Sequence, residues 1–266
     1  MNDTPEDRGP RLRSRRKPPP LIEVTVAERL EITPRLLRLS LEGPGLEPML
    51  AEPAASVRLL VPSPGTDVLV LPEWNGNEFL LPGGTRPALR TFTPLRSHES
   101  GRLDIEIVRH PGGVVSSWAE TVVPGSPAAI SGPGRGFEPP ENATTYHLLG
   151  DETALPAIGQ LLEFLPTDKR IEVYAEVFGD DAIRPLPEHP GATITWLVAG
   201  EGDQPGARLV AAATDLAELS ETDHVWAAGE AASVQAIRKQ LFNERGLARQ
   251  HATVRGYWKP DRTPTS

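Results

Sequence analysis

Just after Tyr146 the hydrophobic pattern of this chain changes period, and that change limits the possible folds more than any other feature of its 266 residues. Upstream, short runs of alternating apolar and polar residues are separated by Pro and Gly turns. Segments 22–30, 36–42, 56–61, 89–94, 103–109 and 128–131 read as strands, with Thr25, Val26, Val57, Ile105 and Ile107 among their β-branched residues. Many short strands with frequent turns indicate an antiparallel barrel or sandwich. Downstream, 147–150 reads as an apolar strand. It is followed by a helix over 153–165, strands over 171–178 and 193–197, a helix over 206–219, a strand over 224–228, a helix over 231–245 and a last strand over 252–258. Strands alternating with helices imply a parallel sheet covered on its faces. The expected class is α+β in two domains: an antiparallel β-barrel over 21–140, then an α/β domain with a parallel sheet over 145–260. An arm (1–20) and a tail (261–266) flank them.

Composition excludes several kinds of function. With Lys+Arg 27 against Asp+Glu 36 the chain carries a net charge of -9, and general nucleic-acid binding needs the opposite balance. No apolar run approaches the roughly 20 residues of a membrane span, so no membrane insertion is expected. The absence of cysteine removes disulfides, thiolate metal sites and a cysteine nucleophile. Any redox chemistry must then come from a bound cofactor. The first twenty residues hold Arg8, Arg11, Arg13, Arg15, Arg16 and Lys17 with almost nothing apolar, and read as a solvated basic arm. Arg15-Arg16 is followed by three prolines where an export signal needs an apolar stretch, so a cytoplasmic location is expected. Most of the 29 prolines fall in this arm, in the barrel turns and in the crossing near Pro133, Pro139 and Pro140.

Six segments could carry chemistry. Arg90-Thr91-Phe92-Thr93 lies on an expected strand, and His110-Pro111-Gly112-Gly113-Val114-Val115-Ser116 runs from a strand end into a helix over 114–121. Free N–H groups at such a turn attract an anion; Ser116 would add a hydroxyl and Arg90 a guanidinium. Gly112-Gly113 is equally explained as a hairpin turn with Trp118 in the core. Gly132-Pro133-Gly134-Arg135-Gly136 allows close approach of a ligand, or simply lets the chain cross between domains. Gly150-Asp151-Glu152-Thr153 and Gly229-Glu230 follow parallel strands, where α/β proteins bind ligands, but neither has the G-x-G-x-x-G pattern, and Asp151, Thr153 and Glu230 also suit helix capping. Arg255-Gly-Tyr-Trp-Lys259 combines cations and aromatics that meet an anionic substrate or anchor a last strand. No metal site is expected: the six histidines form no H-x-x-x-H pattern.

Arg-x-Phe-Thr at 90–93, Gly-x-x-Ser-x-Trp-Ala at 113–119, Gly-Asp-Glu-Thr-Ala-Leu-Pro-Ala-Ile at 150–158, Trp-Ala-Ala-Gly-Glu at 226–230 and Gly-Tyr-Trp-Lys at 256–259 together resemble the siderophore-interacting protein family, over about residues 21–260. The resemblance implies a ferredoxin–NADP reductase-like fold, with FAD on the barrel and NAD(P)H on the α/β domain. It implies that Arg90 neutralises the pyrophosphate, that Thr91 and Phe92 lie along the flavin, and that Thr93, as the catalytic residue, sits near flavin N5. Gly112, Gly113, Val115 and Ser116 would hold the pyrophosphate, with His110 beside the ring or ribityl chain. Asp151 and Thr153 would face the adenosine side or the domain boundary, and Gly229 and Glu230 the nicotinamide nucleotide. Lys259, Arg255 and Arg238 would dock an anionic ferric siderophore. The family commonly has a tyrosine at the place of Phe92, which keeps the stacking and loses one polar contact. The implied activity is ferric-siderophore reduction: NADH or NADPH reduces the flavin, which passes electrons to Fe(III), and Fe(II) leaves the chelate. The absence of an Arg/Lys cluster after Ala199-Gly200-Glu201 leans towards NADH. Two other readings are a flavin oxidoreductase with another acceptor and a non-catalytic iron–siderophore binding protein.

Overall fold

The structure is a computed structural model and describes residues 18–200 and 202–260. Most of the expected arm and the whole expected tail lie outside these residues.

The first half forms β1 (Ile22–Thr33), β2 (Leu36–Glu42), β3 (Val57–Leu60), the short pair β4 (Glu73–Trp74) and β5 (Phe79–Leu80), β6 (Leu89–Phe92), β7 (Leu95–Arg96), β8 (Arg102–Val108), α1 (Val114–Thr121) and β9 (Pro127–Ser131). Seven of these strands make one antiparallel sheet in the order β6-β3-β9-β1-β2-β8-β7. Strand β1 is long enough to serve two partners: Ile22–Thr25 pairs with β9, and Thr25 to Thr33 pairs with β2 through two register shifts. Such irregularities increase twist and let a sheet curl. The result is a half-barrel rather than a barrel closed by hydrogen bonds, since β6 and β7 remain its two edges. Only Thr93 and Pro94 separate those edges in sequence. Inside it Val26, Leu37, Leu39, Leu41, Leu59, Leu103, Ile105 and Ile130 form the core, closed at one end by Val115 and Ala119 of α1. The β4–β5 pair and β7 are unexpected; each strand is two residues long, too short for alternation to register.

The second half comprises β10 (Thr145–Asp151), α2 (Leu155–Phe164), β11 (Arg170–Val177), β12 (Ala192–Val198), α3 (Ala207–Asp215), β13 (Asp223–Glu230), α4 (Ala231–Lys239) and β14 (Ala252–Trp258). The five strands are all parallel, in the order β12-β11-β10-β13-β14. Helix α2 packs on one face with Leu148, Val173 and Trp226, while α3 and α4 pack on the other with Leu149, Val225 and Ala227. Two helices are shorter than expected. Helix α3 stops at Asp215 because Leu216 turns extended, and the Arg245 guanidinium takes the carbonyls of Thr214, Leu216 and Ala217. Helix α4 gives way after Lys239 to a wider turn over Gln240–Glu244.

Charged and polar grips tie the halves together. Glu106 of β8, whose side chain has no exposed surface, receives Arg38 at 2.6 Å from its own sheet and Arg184 at 2.5 Å from the segment after β11. Arg35 reaches Glu152 at 3.1 Å, and Gln160 of α2 spans the gap by accepting from Ala54 N and donating to the Pro94 carbonyl.

Candidate functional site

On β6 successive side chains alternate faces. Arg90 is exposed, and the one hydrogen bond of its guanidinium goes to its neighbour's carbonyl, Leu89 O, at 3.1 Å. Phe92, opposite Val57, rests against the barrel core with part of its ring uncovered. Thr91 points the other way, paired with Arg58, into a cleft of about 200 Å³ bordered by Ser131 and Gly132–Gly134. It therefore does not share a face with Arg90 and Phe92. Thr93 is 7% exposed, and its side chain is hydrogen-bonded to the hydroxyl of Tyr257 on β14. Burial pushes the Tyr257 hydroxyl up to about 12.

The 110–116 turn is built around a glycine. The His110 ring lies where a Cβ of Gly113 would be, and Gly112 takes the left-handed conformation, φ +79°. Ser116 is buried and its hydroxyl accepts from His110 N at 3.1 Å, so it closes the turn from inside; Val115 likewise turns its side chain into the core. Gly113 caps α1 with no side chain covering the first-turn N–H groups. An uncovered helix start beside a glycine turn, on the same half-barrel as an exposed guanidinium with no carboxylate partner, suits an anion.

The carboxyl edge of the parallel sheet is arranged in the opposite sense. Asp151, ending β10, accepts from Thr153 N and Oγ1, from Glu230 N and from Trp258 Nε1 at 2.6–2.9 Å. Its burial raises its pKa, against those hydrogen bonds, which lower it. Glu176 on β11, fully buried, accepts from Gly206, Arg208 and Leu209 N at the start of α3. Glu230 accepts from Ala232 and Ser233 N at the start of α4. Glu152 takes Phe178 N, and Asp203 takes Gly200 N.

These contacts give several of the expected site residues a role in the fold. Asp151, Thr153 and Glu230 are capping groups turned inward. Gly229, at φ +153°, is needed because any Cβ would lie 2.6 Å from the Asp151 carboxylate. Arg255 donates to the carbonyls of Ala54, Arg135 and Gly136, binding the last strand to the crossing segment; Arg238 donates to Val254 O at 2.6 Å. Arg255 thereby serves the fold, while Arg238 stays exposed beyond its one bond. Lys259 stays exposed. The glycines of 132–136 are explained by packing, since a Cβ at Gly134 or Gly136 would strike Ser56 or Glu52. Sequence reasoning missed Tyr257 as the partner of Thr93, and it missed Glu176; a lone carboxylate near the end of an apolar strand was the available signal.

Two family models divide the chain where its sheets divide. Residues 25–137 match the siderophore-interacting FAD-binding domain, and residues 143–261 match the siderophore-interacting protein model. The chain belongs to the siderophore-interacting protein family. Within it, a siderophore utilization protein from T. fusca is 32% identical, with a TM-score of 0.79 over 94% of this chain and 97% of that one. Ferric vibriobactin reductase ViuB of Vibrio cholerae is 30% identical over 86% of this chain and 85% of its own length. The mycobactin import ATP-binding/permease protein IrtA of Mycolicibacterium thermoresistibile is 32% identical over 90% of this chain, which spans only 25% of that relative. The fold extends to ferredoxin-NADP+ reductase from Plasmodium falciparum, with a TM-score of 0.62 at 12% identity over 89% of this chain and 96% of that one. The Arg90 face and the α1 turn both fall inside the segment that matches the FAD-binding domain.

Proposed function

We propose that this protein is an FAD-dependent ferric-siderophore reductase fed by NADH or NADPH, and that its α/β domain is where the donor docks. The observation that carries the reading is the presence, on one half-barrel, of the exposed Arg90 guanidinium, bonded only to its neighbour's carbonyl, and the uncapped start of α1. These groups fit FAD: Arg90 and the N–H groups of Gly113, Val115 and Ser116 would hold its pyrophosphate, Phe92 offers a partly uncovered ring, and His110 flanks the turn. When bound, FAD supplies a centre that takes a hydride and releases electrons singly. Thr93, shielded from water and held by Tyr257, fixes a hydroxyl at the boundary between the halves. Lys259 offers an exposed cation to an anionic chelate. Hard oxygen ligands favour Fe(III), so reduction loosens the chelate. The ferric siderophore is thus substrate, and the protein itself need not ligate iron. The proposal keeps the cytoplasmic location expected from sequence. Among the described residues no helix is long and apolar enough to cross a membrane.

Purified protein is expected to be yellow with a flavin spectrum. Arg90→Ala should weaken FAD binding roughly 10- to 100-fold, the effect of losing a charge-assisted contact of about 1.5–3 kcal/mol. Anaerobic NADH or NADPH, then a ferric siderophore with an Fe(II) trap, should yield trapped Fe(II). Protein that stays colourless after incubation with FAD would overturn the reading in favour of a siderophore-binding module. Flavin bleaching without Fe(II) would favour a different electron acceptor.

A further inference from the structure

We infer that this protein leaves the pyrophosphate, and any 2′-phosphate, of its reduced nicotinamide donor ungripped. The inference rests on the proposed function for the class of donor. Doubly wound sheets hold such phosphates with backbone N–H groups at the carboxyl ends of their strands and at the helix starts that follow. In this chain those donors are taken by its own carboxylates at the starts of α3 and α4 and in the turns after β10, β11 and β12. Glu176 covers the start of α3, Glu230 the start of α4, and Asp151 the turn between β10 and α2 while also taking Glu230 N. The turns after β11 and β12 are closed in the same way by Glu152 and Asp203. Close approach of a phosphate needs a glycine, and at Gly229 the space its missing Cβ leaves is filled by Asp151.

Charge points the same way. Two of the cations beside this edge are neutralised, Arg35 by Glu152 at 3.1 Å and Arg208 by Asp203 at 2.9 Å, which leaves Lys259 after β14 as an exposed cation there. A phosphate placed at the closed turns would find acceptors where it needs donors and negative charge where it needs positive. Helix α1 on the half-barrel begins with no such carboxylate, unlike α3 and α4; α2 also lacks one, but its first turn holds Pro156, which has no N–H to offer. One fold therefore keeps an open anion cradle for its cofactor and sealed turns where a dinucleotide's phosphates would lie. Discrimination between NADH and NADPH should accordingly be weak.

Two measurements on the FAD-loaded protein test this. Anaerobic stopped-flow compares flavin reduction by NADH, NADPH and reduced nicotinamide mononucleotide, which lacks the pyrophosphate link to adenosine. The dinucleotides should exceed the mononucleotide by less than about tenfold in kcat/KM. Calorimetry with ADP-ribose and 2′-phospho-ADP-ribose, which carry the phosphates without nicotinamide, should give a Kd weaker than about 1 mM for both. A preference of tenfold or more for either dinucleotide, or a fragment Kd tighter than that bound, overturns the inference. Bleaching by none of the three donors would overturn the donor class instead, and calorimetry would still decide the phosphate question. Dithionite-reduced protein with a ferric siderophore and an Fe(II) trap tests the parent reading without any nicotinamide.

Discussion

His224 is 3% exposed, its ring packed near Phe137 and Tyr146 with centroids 5.4 and 6.1 Å away. Nε2 lies 3.2 Å from Thr253 Oγ1, and Nδ1 has no partner. Burial lowers its pKa from 6.5 to about 4, so the unfolded chain takes up a proton at a pH where the folded chain refuses it. The stability contribution is therefore complete above pH 6.5 and is lost as pH falls towards about 4, at about 1.4 kcal/mol per pH unit and about 3 kcal/mol in all. Urea unfolding across that window should show a steeper loss for the native chain than for His224→Gln; parallel curves would contradict the assignment. At this scale sequence reading was uneven. Arg90 stood out because an arginine beside an aromatic on an edge strand has few structural duties. The burdens on Asp151 and Arg255 were invisible, because their partners lie 79 and 119 residues away in Glu230 and Gly136.

Gly229 ends the run of ladder pairs in β13 where the register shifts against β14. Its φ of +153° and the Asp151 carboxylate 2.6 Å from any added Cβ together forbid a side chain. Gly229→Ala should cost about 2 kcal/mol or more through backbone strain and displacement of the cap, lowering the urea midpoint. An unchanged midpoint would mean that the turn relaxes freely. Among the elements, β2, α1 and β14 begin and end where periodicity puts them, because their patterns are bounded by Gly, Pro or clear polarity changes. The ends of α3 and α4 were not legible. Their sequences remain helix-compatible past Asp215 and Lys239, and what stops α3 is a distant arginine, Arg245, drawing its last carbonyls outward.

The two halves share polar anchors whose loss should be felt across the whole molecule. Glu106 neutralises Arg38 and Arg184 from different halves with its side chain fully enclosed. Removing one member of such a buried group leaves uncompensated charge, so Glu106→Gln should lose about 3–5 kcal/mol. Calorimetry should show one unfolding transition for the native chain and a lower, broader or split one for the variant. A sharp transition at the native temperature would mean that the anchors do not couple the halves. Sequence alone determined the bipartite order, an antiparallel β half before a parallel α/β half, since periodicity and turn residues are local properties of the chain. Only the tertiary structure decided which candidate groups are free to meet a ligand. Hydrogen-bond donors and charges are used up by partners brought from far along the chain, and here the packing leaves Arg90 and the α1 turn open while it closes the carboxyl edge of the sheet with the protein's own acids.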